Sequence, residues 1–105
     1  MSEISKPIRD AILEFVDNVV PEGGESVWLT GSRVRGDARL DSDWDILVIT
    51  RYMPKDSDLL FDRGTQISKH RVHGGHIELV MAHPDHWHDP RRYMAEVRKS
   101  GVRLR

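Results

Sequence analysis

The run Trp44-Asp45-Ile46-Leu47-Val48-Ile49-Thr50 restricts the folds open to this chain more than any other stretch. Period-two alternation places Trp44, Ile46 and Val48 on one face of a strand, and Asp43, Asp45, Leu47 and Ile49 on the other. Its far end is apolar on both faces, as a central strand must be. Its near end carries acid on one face only. A central strand needs partners beside it and cover above and below. The rest of the chain can be searched for both.

Cover comes first. Between Ser5 and Val20 the apolar residues Ile8, Ile12, Phe15 and Val19 recur at spacings of four, three and four, and Ala11, Leu13 and Val16 widen the stripe. That is an amphipathic helix with one broad buried face. Pro7 suits its first turn, and Pro21 with Gly23-Gly24 ends it. Ser26 to Thr30 is a short apolar run that reads as a buried strand leading straight into Gly31-Ser32. Arg33 to Gly36 is a helical turn or two, and Asp37 to Ser42 a polar loop. After Pro54 breaks the central strand, Leu60, Gly64, Ile67 and Arg71 fit one helical face, predicting a helix from about Ser57 to Lys69. Val72 to Met81 reads as a strand interrupted by Gly74-Gly75, with Ile77, Leu79 and Met81 on one side and His76, Glu78 and Val80 on the other.

Pro84 ends that strand. Asp89-Pro90 then predicts a helix N-cap with proline at the first helical position. Tyr93, Met94 and Val97 form its apolar face, Arg98 and Lys99 its last turn, and Gly101 its end. Val102 and Leu104 add a short edge strand or pack on that helix. The order of elements gives an α/β (α+β) domain, a small sheet with helices packed on it. At 105 residues, the expectation is one domain over 1–105 with one core.

Composition narrows the function classes. A net charge of -1 argues against holding nucleic acid by bulk charge. With no cysteine, disulfides and thiolate metal sites are excluded. The N-terminus lacks a signal-peptide pattern and no apolar run approaches the ~20 residues of a membrane helix, so a cytoplasmic location and no membrane partner are expected.

Chemistry concentrates at 31–48. Asp43 and Asp45 share a strand face with Cα atoms roughly 6.6–7 Å apart, so their oxygens can converge on one hard cation. The alternative is a solvated strand end. Gly31-Ser32, at a strand exit before a helical turn, lets backbone N–H groups approach a phosphate. The alternative is an ordinary strand-to-helix turn. It is not a Walker-type loop, because Gly-Lys-Ser/Thr is absent. Glu78 sits in an apolar strand, where a carboxylate is costly unless paired or metal-bound. Beside the Asp43–Asp45 strand it would complete a three-carboxylate site. As an edge-strand residue it would face solvent. Arg33, Arg35 and Arg39 bracket the turn and can either neutralise a triphosphate or form a solvated basic face. His70, His73, His76, His83, His86 and His88 invite a zinc reading that their spacing does not favour. Trp28, Trp44 and Trp87 read as core or rim packing.

The ordered set Gly31-Ser32-Arg33-Val34-Arg35-Gly36, Ser42-Asp43-Trp44-Asp45-Ile46-Leu47-Val48 and the distal Ile77-Glu78-Leu79 resembles the nucleotidyltransferase superfamily of the DNA polymerase β type, and most of all its minimal members. The likeness covers nearly the whole chain. It implies a palm-like fold with a small mixed sheet. The implied reaction is Mg²⁺-dependent transfer of a nucleoside monophosphate, AMP from ATP, to a hydroxyl with release of pyrophosphate. Two ions are implied, with Asp43, Asp45 and Glu78 as catalytic and metal-binding residues. Gly31, Ser32, Arg33, Arg35 and Ser42 are implied in nucleotide binding. Many relatives carry aspartate as the third acid where this chain has Glu78. Minimal members resemble antitoxins that AMPylate a tyrosine of a helical HEPN toxin, so such a partner is expected to supply the acceptor. An inactive nucleotide-binding module that masks its partner is the alternative. Oligomeric state is left open.

Overall fold

In a computed structural model of the chain, residues 4–20, 22, 24–52 and 66–105 are described, residues 66–70 by backbone alone. Helix α1 (Lys6–Val19) leads into β1 (Ser26–Thr30), the short helix α2 (Ser32–Arg35) and β2 (Trp44–Ile49). Then come β3 (Gln66–Val72), β4 (Gly75–Ala82), a 3-10 turn at Pro84–His86, α3 (Arg92–Ser100) and β5 (Val102–Arg103). The strands form one mixed sheet in the order β3-β4-β2-β1-β5, so β2 is central as its two-sided apolar end requires. It pairs antiparallel with β1 and parallel with β4; β3 joins β4, and β5 joins β1, antiparallel. This is an α+β fold.

Alternation along β2 divides the core between the two faces of the sheet. Trp44, Ile46 and Val48 pack with Ile77 and Leu79 of β4 against Ile12 and Val16 of α1. Leu47 and Ile49 pack with Val80 and Ala82 against Met94 and Val97 of α3, flanked by Trp28 and Tyr93. One helix therefore covers each face, and burial of both apolar stripes is what drives the layers together. In α1 the centre of the stripe is Ile12 and Val16, continued by Val20 just past the helix end, all fully buried, whereas Val19 lies on its exposed flank.

Three expectations change. Of the helix expected from Ser57 to Lys69, residues 57–65 lie outside the described residues, and Gln66–Lys69 belong to strand β3. The expected strand from Val72 to Met81 is a hairpin: His73 and Gly74 both take positive φ (45° and 88°) and turn β3 back onto β4. A two-residue loop with both residues at positive φ matches the twist of the strands it joins. Finally, α3 begins at Arg92 with Arg91 at its cap. Asp89 does not cap it. Its carboxylate accepts the Arg91 backbone N–H at 2.8 Å and pairs with the Arg91 guanidinium. The edge strand foreseen at Val102 forms, two residues long, and Leu104 is buried beneath it.

Candidate active site

Parallel pairing of β2 and β4 sets Asp45 directly beside Glu78. The first residue of β2, Trp44, lies opposite Ile77, the third of β4, so the two acids come next in step and on the same face. That face is the one α3 covers further along, at Leu47 and Val80. Asp45 and Glu78 therefore lie where the apolar layer under α3 gives way to a cleft of about 840 Å³, lined also by Thr30, Gly31, Arg35, Arg92 and Tyr93.

Across the other edge of β2, Asp45 pairs with Thr30, whose hydroxyl donates to the Asp45 carbonyl at 3.4 Å. Gly31 follows with φ 77° and ψ −153°, a conformation open essentially to glycine alone. A Cβ there would overlap the Asp45 carboxylate. The glycine turn and the acid are thus in van der Waals contact, and the α2 N-terminus lies against the acid. Amides in the first turn of a helix have no partner within it. The first to find one in this turn is Val34, which donates to the Gly31 carbonyl at 3.0 Å.

The electrostatics follow from this crowding. Burial pushes the Asp45 carboxyl above its ordinary value of 3.8; negative Glu78 and then Asp43 push it further, and Arg35 opposes them. Tyr93 reaches the same place from α3. Burial raises its phenol, a side-chain hydrogen bond with Thr30 opposes the rise, and the nearby charges of Asp45 and Glu78 add to it.

Of the sequence-predicted residues, Asp45, Glu78, Gly31 and Arg35 line one cleft. Asp43 lies just outside the start of β2, its Oδ1 accepting the His76 backbone N–H at 3.3 Å. Ser32 opens α2. Arg33 and Ser42 are turned to each other: the Arg33 Nη2 donates to the Ser42 carbonyl at 2.6 Å, and the Ser42 Oγ accepts the Arg39 backbone N–H at 2.7 Å.

The family described as "Nucleotidyltransferase domain" matches residues 9–99, from within α1 to within α3. The chain belongs to that family. No curated protein and no solved structure gives a significant match.

Nucleotidyl transfer is the general function of such a domain, and the family generally uses a nucleoside triphosphate and a divalent metal. The carboxylates of this nucleotidyltransferase suit such a cation. Asp45 is half-buried and repelled by Glu78 and Asp43, a repulsion a divalent ion would relieve. Among the described residues no three His, Asp or Glu side chains converge as a ready ligand set. Mg²⁺ does not require one, since it uses one or two carboxylates together with waters and substrate phosphates.

Sequence reasoning missed the contribution of α3. Tyr93 was assigned to that helix's apolar face, and its ring does flank Leu47 and Val80, but its hydroxyl meets Thr30 at the acids. Arg92, on the same turn, also lines the cleft. A periodic stripe shows that a residue is covered and says nothing about where a polar tip ends.

Among the described residues, no helix is long and apolar enough to cross a membrane.

Proposed function

We propose that this nucleotidyltransferase moves AMP from ATP to a protein hydroxyl. The observation that carries the reading is the register pairing of Asp45 with Glu78 at the head of a cleft whose wall is the Gly31 turn. Asp43, Asp45 and Glu78 would hold divalent cations, two by likeness to the minimal members, and these would supply positive charge to the triphosphate and the acceptor oxygen. The Gly31-Ser32 backbone and Arg35 face the β- and γ-phosphates. The acceptor oxygen bonds to the α-phosphorus as the bond to the bridging oxygen breaks, pyrophosphate leaves with that electron pair, and the Glu78 carboxylate would take the hydroxyl proton. Positioning and charge neutralisation carry most of such a reaction.

The acceptor we propose is a tyrosine of a HEPN-type toxin, which this chain silences as an antitoxin. The resemblance to minimal members of the family supports it. Mass spectrometry of a partner co-purified with and without ATP and Mg²⁺ tests the reading. An adduct of AMP mass that disappears with Asp43→Asn or Asp45→Asn is expected. A partner that stays bound and neutralised but unmodified would establish masking instead.

A further inference from the structure

Arg33 has the residue type expected of a phosphate ligand, yet its contacts lead elsewhere. Its guanidinium lies over the Trp44 ring, 4.0 Å from the centroid. Its Nη2 donates to the Leu40 carbonyl at 3.3 Å and to the Ser42 carbonyl at 2.6 Å. Its Nε is buried and faces no acceptor among the described residues, so the Nη2 bonds and the ring hold the group in place. A cation over an indole face, with carbonyls as acceptors at its edge, is satisfied in charge and in geometry.

The Ser42 carbonyl belongs to the peptide unit that leads into Asp43. The loop before it has little else to fix it. Its one large apolar residue, Leu40, is 88% exposed, so burial does not anchor it. What anchors it is contact through carbonyls. Those of Leu40 and Ser42 also abut the β3–β4 turn so closely that a Cβ at Gly74 or Gly75 would overlap them. On the far side, Trp44 Nε1 donates to the Val72 carbonyl at 2.7 Å, tying the start of β2 to the end of β3. The His76 backbone N–H then meets the Asp43 carboxylate from β4. Arg33 thus sits at the junction of α2, the loop, β2 and the hairpin, and it holds the two residues that flank Asp43, Ser42 by its carbonyl and Trp44 by its ring.

We propose that Arg33 is a positioning residue. It clamps the Leu40–Ser42 carbonyls against Trp44 and so fixes the Asp43 carboxylate for metal binding, without contacting the nucleotide. The proposal rests on the reading of Asp43 as a metal ligand. It deepens that reading, because it separates two arginines on one helical turn: Arg35 faces the cleft and Arg33 the frame.

Arg33→Met keeps an unbranched apolar stem and removes the guanidinium. Arg33→Lys keeps the charge and loses the fork, and it serves as the comparison if the methionine variant does not fold. Hydrogen exchange of the metal-free protein should show faster exchange at amides 39–43 and at His76 in either variant. Titration with Mn²⁺ should show affinity reduced by about tenfold or more, the range typical for a group that orients a metal ligand. ATP binding measured in EDTA should change by less than about twofold, since a group that makes no phosphate contact carries no share of that binding. Unchanged exchange at 39–43 and His76 overturns the clamp, whatever the protein catalyses. Loss of ATP binding in EDTA overturns it in favour of a phosphate contact. If exchange rises as expected but neither Arg33→Met nor Asp43→Asn alters Mn²⁺ binding, the positioning role toward metal is overturned, and the assignment of Asp43 fails with it.

Discussion

Replacing Gly31 with alanine probes the contact on which the site is built. At φ 77° and ψ −153° the backbone lies in a region that L-residues essentially avoid. Holding one there costs of order 1–3 kcal/mol. The added Cβ would also overlap the Asp45 carboxylate, so β1 and β2 must part or the acid must turn away. The backbone term alone predicts a fall in Tm of roughly 4–24 °C, at about 4–8 °C per kcal/mol for a domain of this size. The overlap adds to it. A double-mutant cycle with Asp45→Ala separates the two. Without the carboxylate only the backbone strain remains, so the double variant should lose less stability than the sum of the single changes, by about 0.5–3 kcal/mol. Urea unfolding of the four proteins, with equal m-values as the check on two-state behaviour, gives every figure needed. A Gly31→Ala protein within about 0.5 kcal/mol of the parent, the range of ordinary surface substitutions, would show that the turn carries neither strain nor overlap. Strict additivity with Asp45→Ala would show that the turn and the acid do not touch.

Three further outcomes follow from other parts of the molecule. Because the folded state holds the Asp45 proton more tightly than the unfolded chain, metal-free stability should decline as pH rises from 3.8 through the raised folded value, and Asp45→Asn should remove that share of the decline when urea midpoints are compared across pH. Asp89, held down to about 2 by the hydrogen bonds and charge of Arg91, behaves in the opposite sense: its contribution is present above 3.8 and vanishes as pH falls through about 2, and NMR titration of its carboxyl should show that low midpoint returning towards 3.8 in Arg91→Ala. Ile12→Ala empties the centre of the α1 face and should cost about 2–5 kcal/mol in urea unfolding.

The sequence made the faces of β2 and β4 legible because both strands alternate cleanly. Ile46 and Val48 went to α1, while Leu47 and Asp45 went to the other side, and Glu78 fell on the acid face for the same reason. What alternation cannot give is which strands adjoin. That β4 runs parallel beside β2, in the register that sets Glu78 against Asp45, depends on the whole sheet. Positive φ at a histidine hid the His73-Gly74 turn, since histidine is not a usual turn residue, so two strands read as one. Ile67 and Arg71 fitted a helical face with Leu60 and Gly64, but pairing with β4 places both in a strand. Asp89-Pro90 carries the pattern of a cap, and the Arg91 guanidinium captured the carboxylate first. For Arg33, residue type suggested a phosphate ligand. Its surroundings, an indole face and two carbonyls from residues 40 and 42, form only when the chain folds.

In the proposed function, Asp45 and Glu78 form one cation-dependent site for a nucleoside triphosphate. Calorimetric binding of a non-hydrolysable ATP analogue, with Mg²⁺ and in EDTA, tests it most directly in the parent protein, Asp45→Asn and Glu78→Gln. Binding to the parent should tighten with Mg²⁺, and each variant should lose that Mg²⁺-dependent gain, by about tenfold or more as expected for a lost charged ligand. Equal Mg²⁺-dependent binding by all three proteins would contradict the account.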